Sequence, residues 1–290
     1  MRFVGSLSVA LVILCVPLMN AQSIVKSVSL TFTTLDVPGS PYTVLVGINN
    51  SGVITGYSER RNDSFTWENG TFTYFQYPGA LSTQALGIND AGLVMGTAYM
   101  NQFPYPGFIY DGQTFTTVQI PGRIETKVTA VPKAGVIVGY WNDSPSIEGF
   151  RWNGTHFKGF QVPRSNSTST GAMNNLGDLV GSAGVGNGGQ DGFRYTDGKF
   201  SHLPFPGATF TYAFGINDNR FIVGGYYPTS GVPACFIWRA GKFVSFKVPG
   251  AQRTSCLGIN NAGVIVGSYQ DYQDDTHGFM TSPIREADFQ

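Results

Sequence analysis

The chain has 290 residues, of which 12% are charged and 14% are aromatic, and its 18 basic residues balance its 18 acidic ones. This neutrality supplies no positive field for a phosphate backbone or an anionic lipid surface, so nucleic-acid and membrane-surface partners are disfavoured. Disorder is disfavoured too, because 42% hydrophobic residues in a chain of this size can bury a large core.

The N-terminus has the layout of an export signal. One basic residue, Arg2, precedes an apolar run over residues 9–19, and a short polar stretch follows. This pattern predicts a signal peptide over residues 1–21, with cleavage after Ala21, and a secreted protein that is extracellular or periplasmic. The apolar run is shorter than the roughly 20 residues that a membrane span needs. We therefore expect no transmembrane anchor.

The rest of the sequence repeats six times with fixed offsets. A proline, usually followed by glycine, opens each repeat: Pro38, Pro78, Pro121, Pro163, Pro206 and Pro249. Five residues later each copy has a threonine: Thr43, Thr83, Thr126, Thr168, Thr211 and Thr254. Further on, each copy has a glycine: Gly56, Gly96, Gly139, Gly181, Gly224 and Gly267. Successive prolines lie 40 to 43 residues apart. A period of this length indicates one supersecondary unit per repeat.

Turn signals divide each repeat into four short strands. Asn-Gly and Asp-Gly pairs mark tight hairpins, and the segments between them are rich in aromatic and β-branched residues. The sequence predicts an all-β, six-bladed β-propeller with four antiparallel strands per blade, as a single domain over residues 22–290. The repeat units are approximately 38–77, 78–120, 121–162, 163–205, 206–248 and 249–280.

The chain ends are complementary parts of one unit. Residues 29–37 form a fourth-strand segment, whereas the last repeat stops after its third strand. Pairing these segments would close the ring and remove exposed strand edges. The remaining alternative is an open β-solenoid.

One stretch of the last repeat resembles a known family. Residues 258–267 read Gly-Ile-Asn-Asn-Ala-Gly-Val-Ile-Val-Gly, and His277-Gly278-Phe279 follow. This pattern is similar to the bacterial HAF-type extracellular repeat, which is named for a His-Ala-Phe triplet. The resemblance covers nearly all of the chain after the signal and implies a secreted repeat protein without a known reaction. The histidine of the triplet occurs in only one repeat.

Few residues suggest catalysis. The three histidines, His156, His202 and His277, lie at unequal repeat positions, which argues against a histidine-rich metal site. A glycosidase needs two convergent carboxylates, but the predicted first strands contain no acid and Glu125 only precedes one. We expect no cofactor and favour a protein that is not an enzyme. Calcium stays open as a ligand of three aspartates: Asp271, Asp274 and Asp275.

Two sets of polar residues recur with the repeat. The six threonines could present a circle of hydroxyls at a channel mouth, or could each bond neighbouring backbone after the Pro-Gly turn, and we favour the second interpretation. A second set is predicted to consist of turn residues: Asn49, Asn89, Asn174, Asn217 and Asn260.

The loops between second and third strands vary most and would share one rim with the Pro-Gly loops. Their aromatic residues suit a glycan or an extracellular protein as ligand: Tyr99, Phe103, Tyr105, Trp141, Tyr227, Tyr269 and Tyr272. We therefore predict a binding or surface-interaction module, expected to be a monomer. The alternatives are a polysaccharide-acting hydrolase or lyase and a structural cell-envelope protein. Cys235 and Cys256, on successive blades, could form a disulfide.

Overall fold

A computed structural model describes residues 23–25, 28–59, 62–132, 135–186 and 188–289. The predicted signal peptide, residues 1–21, lies outside the described residues. Within the described part, the chain forms 25 β-strands and one short 3-10 helix. The predicted all-β class is confirmed.

Repeats one to three each form a separate antiparallel sheet of four strands. The first comprises β3 (Thr43–Ile48), β4 (Ile54–Ser58), β5 (Asp63–Glu68) and β6 (Thr71–Phe75). The second comprises β7 (Ser82–Ile88), β8 (Val94–Tyr99), β9 (Gly107–Tyr110) and β10 (Phe115–Val118). The third comprises β11 (Thr126–Ala130), β12 (Ile137–Asn142), β13 (Ile147–Trp152) and β14 (Phe157–Phe160).

Repeats four and five belong to one nine-stranded sheet. Repeat four supplies β15 (Ser167–Met173), β16 (Leu179–Gly184), β17 (Gln190–Thr196) and β18 (Lys199–Leu203). Repeat five supplies β19 (Ala208–Ile216), β20 (Ile222–Pro228), β21 (Ala234–Arg239) and β22 (Lys242–Phe246). A single parallel pair, Gln190 with Phe210, connects the two repeats. The N-terminal β1 (Ser23–Val25), which the repeat pattern did not predict, pairs in parallel with β22.

The last sheet combines the two ends of the chain. It contains β23 (Arg253–Ile259), β24 (Ile265–Gln270), β25 (Thr276–Thr281) and the N-terminal β2 (Phe32–Thr34). Strands β2 and β25 are antiparallel, with Phe32 opposite Thr281. Regular pairing is shorter than the predicted 29–37, and beyond it the backbone N–H of Gly278 donates to the Asp36 side chain at 3.0 Å. The 3-10 helix Glu286–Phe289 then buries Phe289 against Phe221, with ring centroids 5.4 Å apart.

The core lies between successive units and is built around the third-strand phenylalanines. All six are fully buried: Phe65, Phe108, Phe150, Phe193, Phe236 and Phe279. Each belongs to a cluster of apolar side chains in which, for example, Phe65 lies with Val37, Leu45 and Val266 from both chain ends. Burial of these rings stabilises the fold, because apolar burial contributes roughly 25 cal/mol per Å².

The six repeated threonines are buried, with at most 2% of each exposed. Each hydroxyl accepts a hydrogen bond from the backbone N–H of the residue before the repeat's proline, at 2.8 to 3.2 Å. The threonines therefore fix the Pro-Gly turn and do not line a channel. The backbone interpretation of these residues is confirmed.

We expect Thr126→Val to lower the free energy of unfolding by about 1–3 kcal/mol, because it leaves the buried N–H of Ile120 without its acceptor. Thr126→Ser keeps the hydroxyl and should retain most of the stability. Urea unfolding of both variants checks this expectation, and equal losses would show that the hydroxyl contributes nothing.

The structure joins Cys235 of β21 to Cys256 of β23 through a disulfide, with Cα atoms 5.6 Å apart. Both residues are fully buried in the cluster of apolar side chains between repeats five and six. The bond closes a loop with a sequence separation of 21 residues. It therefore fastens two successive repeats to each other.

Candidate functional site

The repeated asparagines link successive units as well as forming turns. Asn49 Oδ1 accepts the N–H of Val53 at 2.9 Å, while its Nδ2 donates to the carbonyl of Asn89 in the next repeat at 3.3 Å. Four further bonds follow the same pattern: Asn89 to Val131, Asn174 to Asn217, Asn217 to Asn260 and Asn260 to Asn49. The last of these joins the final repeat to the first. The turn role was predicted, but the linking role was not.

A central cavity of about 110 Å³ lies among the first strands and the turns that follow them. At its turn end, Asn175 Nδ2 lies 3.0 Å from Asp90 Oδ2 and 3.0 Å from Asp218 Oδ2. One amide thus bridges two carboxylates from repeats two and five. Sequence reasoning missed this pair because both aspartates look like ordinary turn residues.

Hydrogen bonds occupy these carboxylates. Burial raises the pKa of Asp218, but donation from Asn175 and Asn261 outweighs it and holds the pKa below the usual 3.8. Asp90 also accepts from both the backbone and the side chain of Asn50, at 2.9 and 2.8 Å. The aspartate pair therefore closes the turn end of the cavity as a fixed polar network.

A second cavity, of about 180 Å³, lies between repeats five and six at the other end of the strands. Its walls include Tyr212 and Phe214 of β19 and Tyr227 of β20. The Tyr212 ring lies 5.8 Å from that of Phe214 and 6.0 Å from that of Tyr227, centroid to centroid. Tyr227 is 45% exposed, so the cavity has an open aromatic edge. We call it the aromatic cavity.

Local strand geometry directs these rings. A register shift between Ala213 and Gly215 in the β19–β20 pair displaces Phe214, which lines both the central and the aromatic cavity. At the position of Tyr212 the other repeats have small, aliphatic or polar residues: Val44, Gln84, Lys127, Ser169 and Ser255. Comparing this one position across repeats would have identified the aromatic cavity from the sequence.

The chemistry of the aromatic cavity is neutral. Its lining includes Thr254 and Ser255 beside the rings and, among the residues that the structure describes, no charged side chain. Burial, with a smaller effect of Tyr227, raises the pKa of Tyr212. Its phenol therefore stays protonated at physiological pH and can donate a hydrogen bond. Such a cavity offers flat apolar faces bordered by hydroxyls.

The seven aromatic residues predicted for the rim do not form one surface. Tyr227 lies in the aromatic cavity. Phe103 is 65% exposed and lies with Tyr99 and Tyr105 in a separate group, with centroid distances of 4.6 and 5.3 Å. Tyr272 is 71% exposed on the loop of the last repeat. The rim therefore carries separate aromatic positions rather than one continuous patch.

The prediction of an exposed rim position is wrong for Trp141, which is only 4% exposed. Strand β12 extends through this residue, which the sequence suggested to be a loop, and pairs it with Glu148. Its ring stacks on that of Phe150, with centroids 6.3 Å apart, and the guanidinium of Arg123 lies over it, 4.4 Å from the ring centroid. Trp141 is therefore a core residue and not part of an exposed rim.

Glu125 and Lys127 form a buried ionic group beside Tyr99. Lys127 Nζ lies 3.2 Å from Glu125 Oε1 and donates to the Tyr99 hydroxyl at 3.1 Å. Burial alone lowers the pKa of Lys127, but Tyr140, Tyr99 and Glu125 together raise it above its usual value. The amine therefore stays charged and paired, which makes it a poor base or nucleophile.

Two of the three aspartates proposed for calcium make hydrogen bonds within their own loop. Asp271 Oδ1 accepts the N–H groups of Gln273 and Asp275 at 2.8 and 3.0 Å, and Asp274 Oδ1 accepts from Gln270 at 3.2 Å. Among the residues that the structure describes, no three acidic, histidine or cysteine side chains are grouped to hold a metal ion. The expected calcium site is therefore not formed by these residues.

His277 connects the two ends of the chain. Its Nδ1 lies 2.7 Å from an Asp36 carboxylate oxygen, and its Nε2 lies 3.4 Å from one of Asp271. Tyr269 stacks on the imidazole ring, with ring centroids 5.0 Å apart, and its hydroxyl lies 3.1 Å from the Thr34 hydroxyl. Burial lowers the pKa of His277, but hydrogen bonds and charge interactions with Asp36 and Asp271 raise it above the ordinary 6.5. Tyr269, which packs against the His277 ring, is half-buried.

This network predicts a pH-dependent stability. Because the pKa of His277 is higher in the folded chain, its contribution is complete below the ordinary 6.5 and is lost as the pH rises through the raised value. The melting temperature should therefore fall as the pH rises above 6.5, and His277→Gln should reduce that fall. Thermal melts of both proteins measure it, with His156→Gln as the control; identical slopes would contradict the assignment.

Comparisons with known proteins bear on the fold. No family model matches the sequence, and no curated protein matches it. Among solved structures, a protein assigned as TolB from Agrobacterium tumefaciens is 8% identical with a TM-score of 0.61, covering 84% of this chain and 92% of that one. The fold is β-propeller-like.

Two further similar structures carry ligands. A catalytically inactive virginiamycin B lyase from Staphylococcus aureus with quinupristin is 11% identical, with a TM-score of 0.54, covering 87% of this chain and 99% of that one. Aleuria aurantia lectin in complex with Fucα1-6GlcNAc is 10% identical, with a TM-score of 0.52 and coverage of 87% and 98%. At these identities the likeness concerns the fold alone. In the described part of the chain, no helix is long and apolar enough to cross a membrane.

Proposed function

We propose that this chain is an exported, monomeric glycan-binding module, a single-domain closed propeller of six blades, with its ligand in the aromatic cavity. The pairing of β2 with β25 and the bond from Asn260 to Asn49 support closure. The Gly-Ile-Asn repeats support membership of the HAF-type extracellular family. The aromatic cavity carries the functional part of the proposal.

The walls of the aromatic cavity favour a sugar as the ligand. Tyrosine rings present a flat apolar face that packs against the C–H face of a pyranose, while hydroxyls at the ring edges accept and donate hydrogen bonds. Tyr212 and Tyr227 are placed nearly perpendicular to each other, with an interplanar angle of 79°. Their two faces can therefore contact one ring from two sides.

The size and charge of the aromatic cavity restrict the class of ligand that it can bind. Sites for drug-sized ligands measure about 300–1,000 Å³, so 180 Å³ suits a single sugar ring at the end of a chain. The absence of charged side chains from its lining favours a neutral sugar over a uronic or sialic acid. A protein ligand is less favoured because the cavity is small and concave, whereas protein interfaces are broad.

The experiment is a glycan array that includes neutral and acidic sugars, followed by calorimetry on the best ligand. We expect a neutral terminal sugar to bind and Tyr212→Ala to weaken it by about thirtyfold, the effect of removing a well-packed aromatic contact. Tyr227→Ala should act similarly. Tyr272→Ala, which removes an exposed tyrosine outside the cavity, is the control and should keep full affinity.

Two outcomes would overturn the proposal. If no sugar binds to a folded protein, the aromatic cavity is not a glycan site, and a protein ligand or a structural envelope role becomes the better interpretation. If a sugar binds but Tyr212→Ala leaves the affinity unchanged, the ligand lies elsewhere.

The Asp90 and Asp218 pair gives a structural argument for a second function, a polysaccharide hydrolase or lyase. Two carboxylates that share one amide lie close enough to act on a single bond. Release of reducing ends from a polysaccharide panel, abolished by Asp218→Asn, would favour this function. We favour binding because Asn50, Asn175 and Asn261 already occupy the carboxylate oxygens.

A further inference from the structure

A third cavity, of about 130 Å³, lies between repeats four and five, lined by Arg194, Arg220, Arg239 and Trp238. Its walls also include Ile216 and Ile222, which flank the turn after β19. The aromatic cavity lies at the opposite ends of these strands, so the two sites share no residue. We call this the arginine cavity.

Two of the three arginines are held by carboxylates. Arg220 binds Asp178 at 2.8 Å and Asp197 at 3.0 Å. Arg239 binds Glu286 through two nitrogens, at 2.6 and 3.2 Å. These pairs fix the side chains that border the cavity and leave both guanidinium groups electrically compensated.

Arg220 also has an unusual backbone. Its φ is 61°, at a turn position where the other repeats have glycine: Gly52, Gly92, Gly135, Gly177 and Gly263. The left-handed backbone region is strained for any residue other than glycine. The chain thus keeps a guanidinium at this turn in spite of the strain.

Arg194 and Trp238 are left with unused donors. The Arg194 guanidinium stacks on the Trp238 ring at 4.7 Å, and it forms no hydrogen bond or ion pair with any residue that the structure describes. Burial first, and then the neighbouring Arg220, lower the pKa of Arg194, so its surroundings disfavour the positive charge. Trp238 is 6% exposed, and its Nε1 lacks a partner among the described residues.

We propose that the arginine cavity binds a small oxyanion group, either a phosphate, a sulfate or a carboxylate. Such a group supplies the acceptor oxygens that the planar guanidinium of Arg194 and the indole of Trp238 lack, and it balances the charge that Arg194 adds. The cavity volume admits a single anionic group rather than a drug-sized ligand. This site is independent of the glycan proposal, because it uses other residues on the opposite face.

The test titrates sodium phosphate, sulfate and acetate into the ¹⁵N-labelled full chain, with sodium chloride at matched ionic strength. We expect the indole N–H signal of Trp238 to shift saturably. The signal of Trp141, whose Nε1 is also buried without a partner but lies outside this cavity, should stay in place. The anion that binds most tightly identifies the group.

Arg194→Gln should weaken anion binding at least tenfold, because it removes the charge and the guanidinium donors while keeping a polar side chain. Arg151→Gln is the matched control, since Arg151 stacks in the same way on Tyr195 at 4.8 Å but does not line the cavity. If Arg194→Gln does not fold, Trp238→Phe removes only the indole donor, and calorimetry should show weaker binding. No saturable shift with any anion, or equal affinity in Arg194→Gln and the native chain, would overturn the proposal.

Discussion

Deleting residues 24–38 should lower the melting temperature by more than about 10 °C. The deletion removes β2 and the buried Val37, together with the partner carboxylate of His277. Each fully buried aliphatic side chain is worth about 1.5–3 kcal/mol, and in a chain of this size each kcal/mol corresponds to about 2–4 °C. The edge of β25 would also be exposed to pairing with other chains. Differential scanning calorimetry measures the loss.

A synthetic peptide of residues 28–38 provides the control for this deletion. If the ends of the chain close one sheet, adding this peptide to the truncated protein should restore much of the melting temperature. The same peptide with Asp36→Ala lacks the contacts with His277 and Gly278 and should restore less. An unchanged melting curve after the deletion would contradict a closed ring and favour an open array.

The strand pattern could be predicted because the repeat places its special residues where backbone physics requires them. The threonine of each copy bonds the backbone at the turn that begins with the repeated proline, and in five copies an asparagine forms the hairpin after the first strand. Sequence spacing therefore maps directly onto strands. Strand β1 and the helix Glu286–Phe289 were not predicted, because neither belongs to a repeat. Phe289 illustrates the reason, since its burial depends on contact with the distant Phe221.

The candidate sites were harder to predict because they depend on where side chains meet. Trp141 looks like a loop residue in the sequence, but β12 continues through it and its side chain is buried in the core. Asp90 and Asp218 lie far apart in the chain, and only the arrangement of the repeats brings both to Asn175. Tyr212, in contrast, departs visibly from the repeat, and such departures are the most useful signal of a site in this chain.

Gly224→Ala should lower the free energy of unfolding by about 3 kcal/mol or more. This glycine of β20 belongs to the set present in all six repeats, and the ring of Phe236 packs directly over it. A Cβ at this position would overlap the carbonyl oxygen of Tyr212 and lie 2.9 Å from the Phe236 ring. The Tyr212 carbonyl cannot move without breaking the β19–β20 ladder, so the backbone itself would be strained. Overpacking of this kind typically costs about 1–3 kcal/mol or more in the free energy of unfolding.

The neighbouring Gly225 provides a matched control for this substitution. A Cβ there would meet the Ala234 carbonyl oxygen at 3.8 Å and the Phe214 ring at 4.0 Å, which are ordinary contacts. Gly225→Ala should therefore change the stability by less than about 1 kcal/mol, in either direction. Guanidinium unfolding of both variants compares two alanines on adjacent residues of one strand. Similar losses would contradict this steric explanation, whereas a large difference would show that the Tyr212 carbonyl and the Phe236 ring leave no room for a side chain at Gly224.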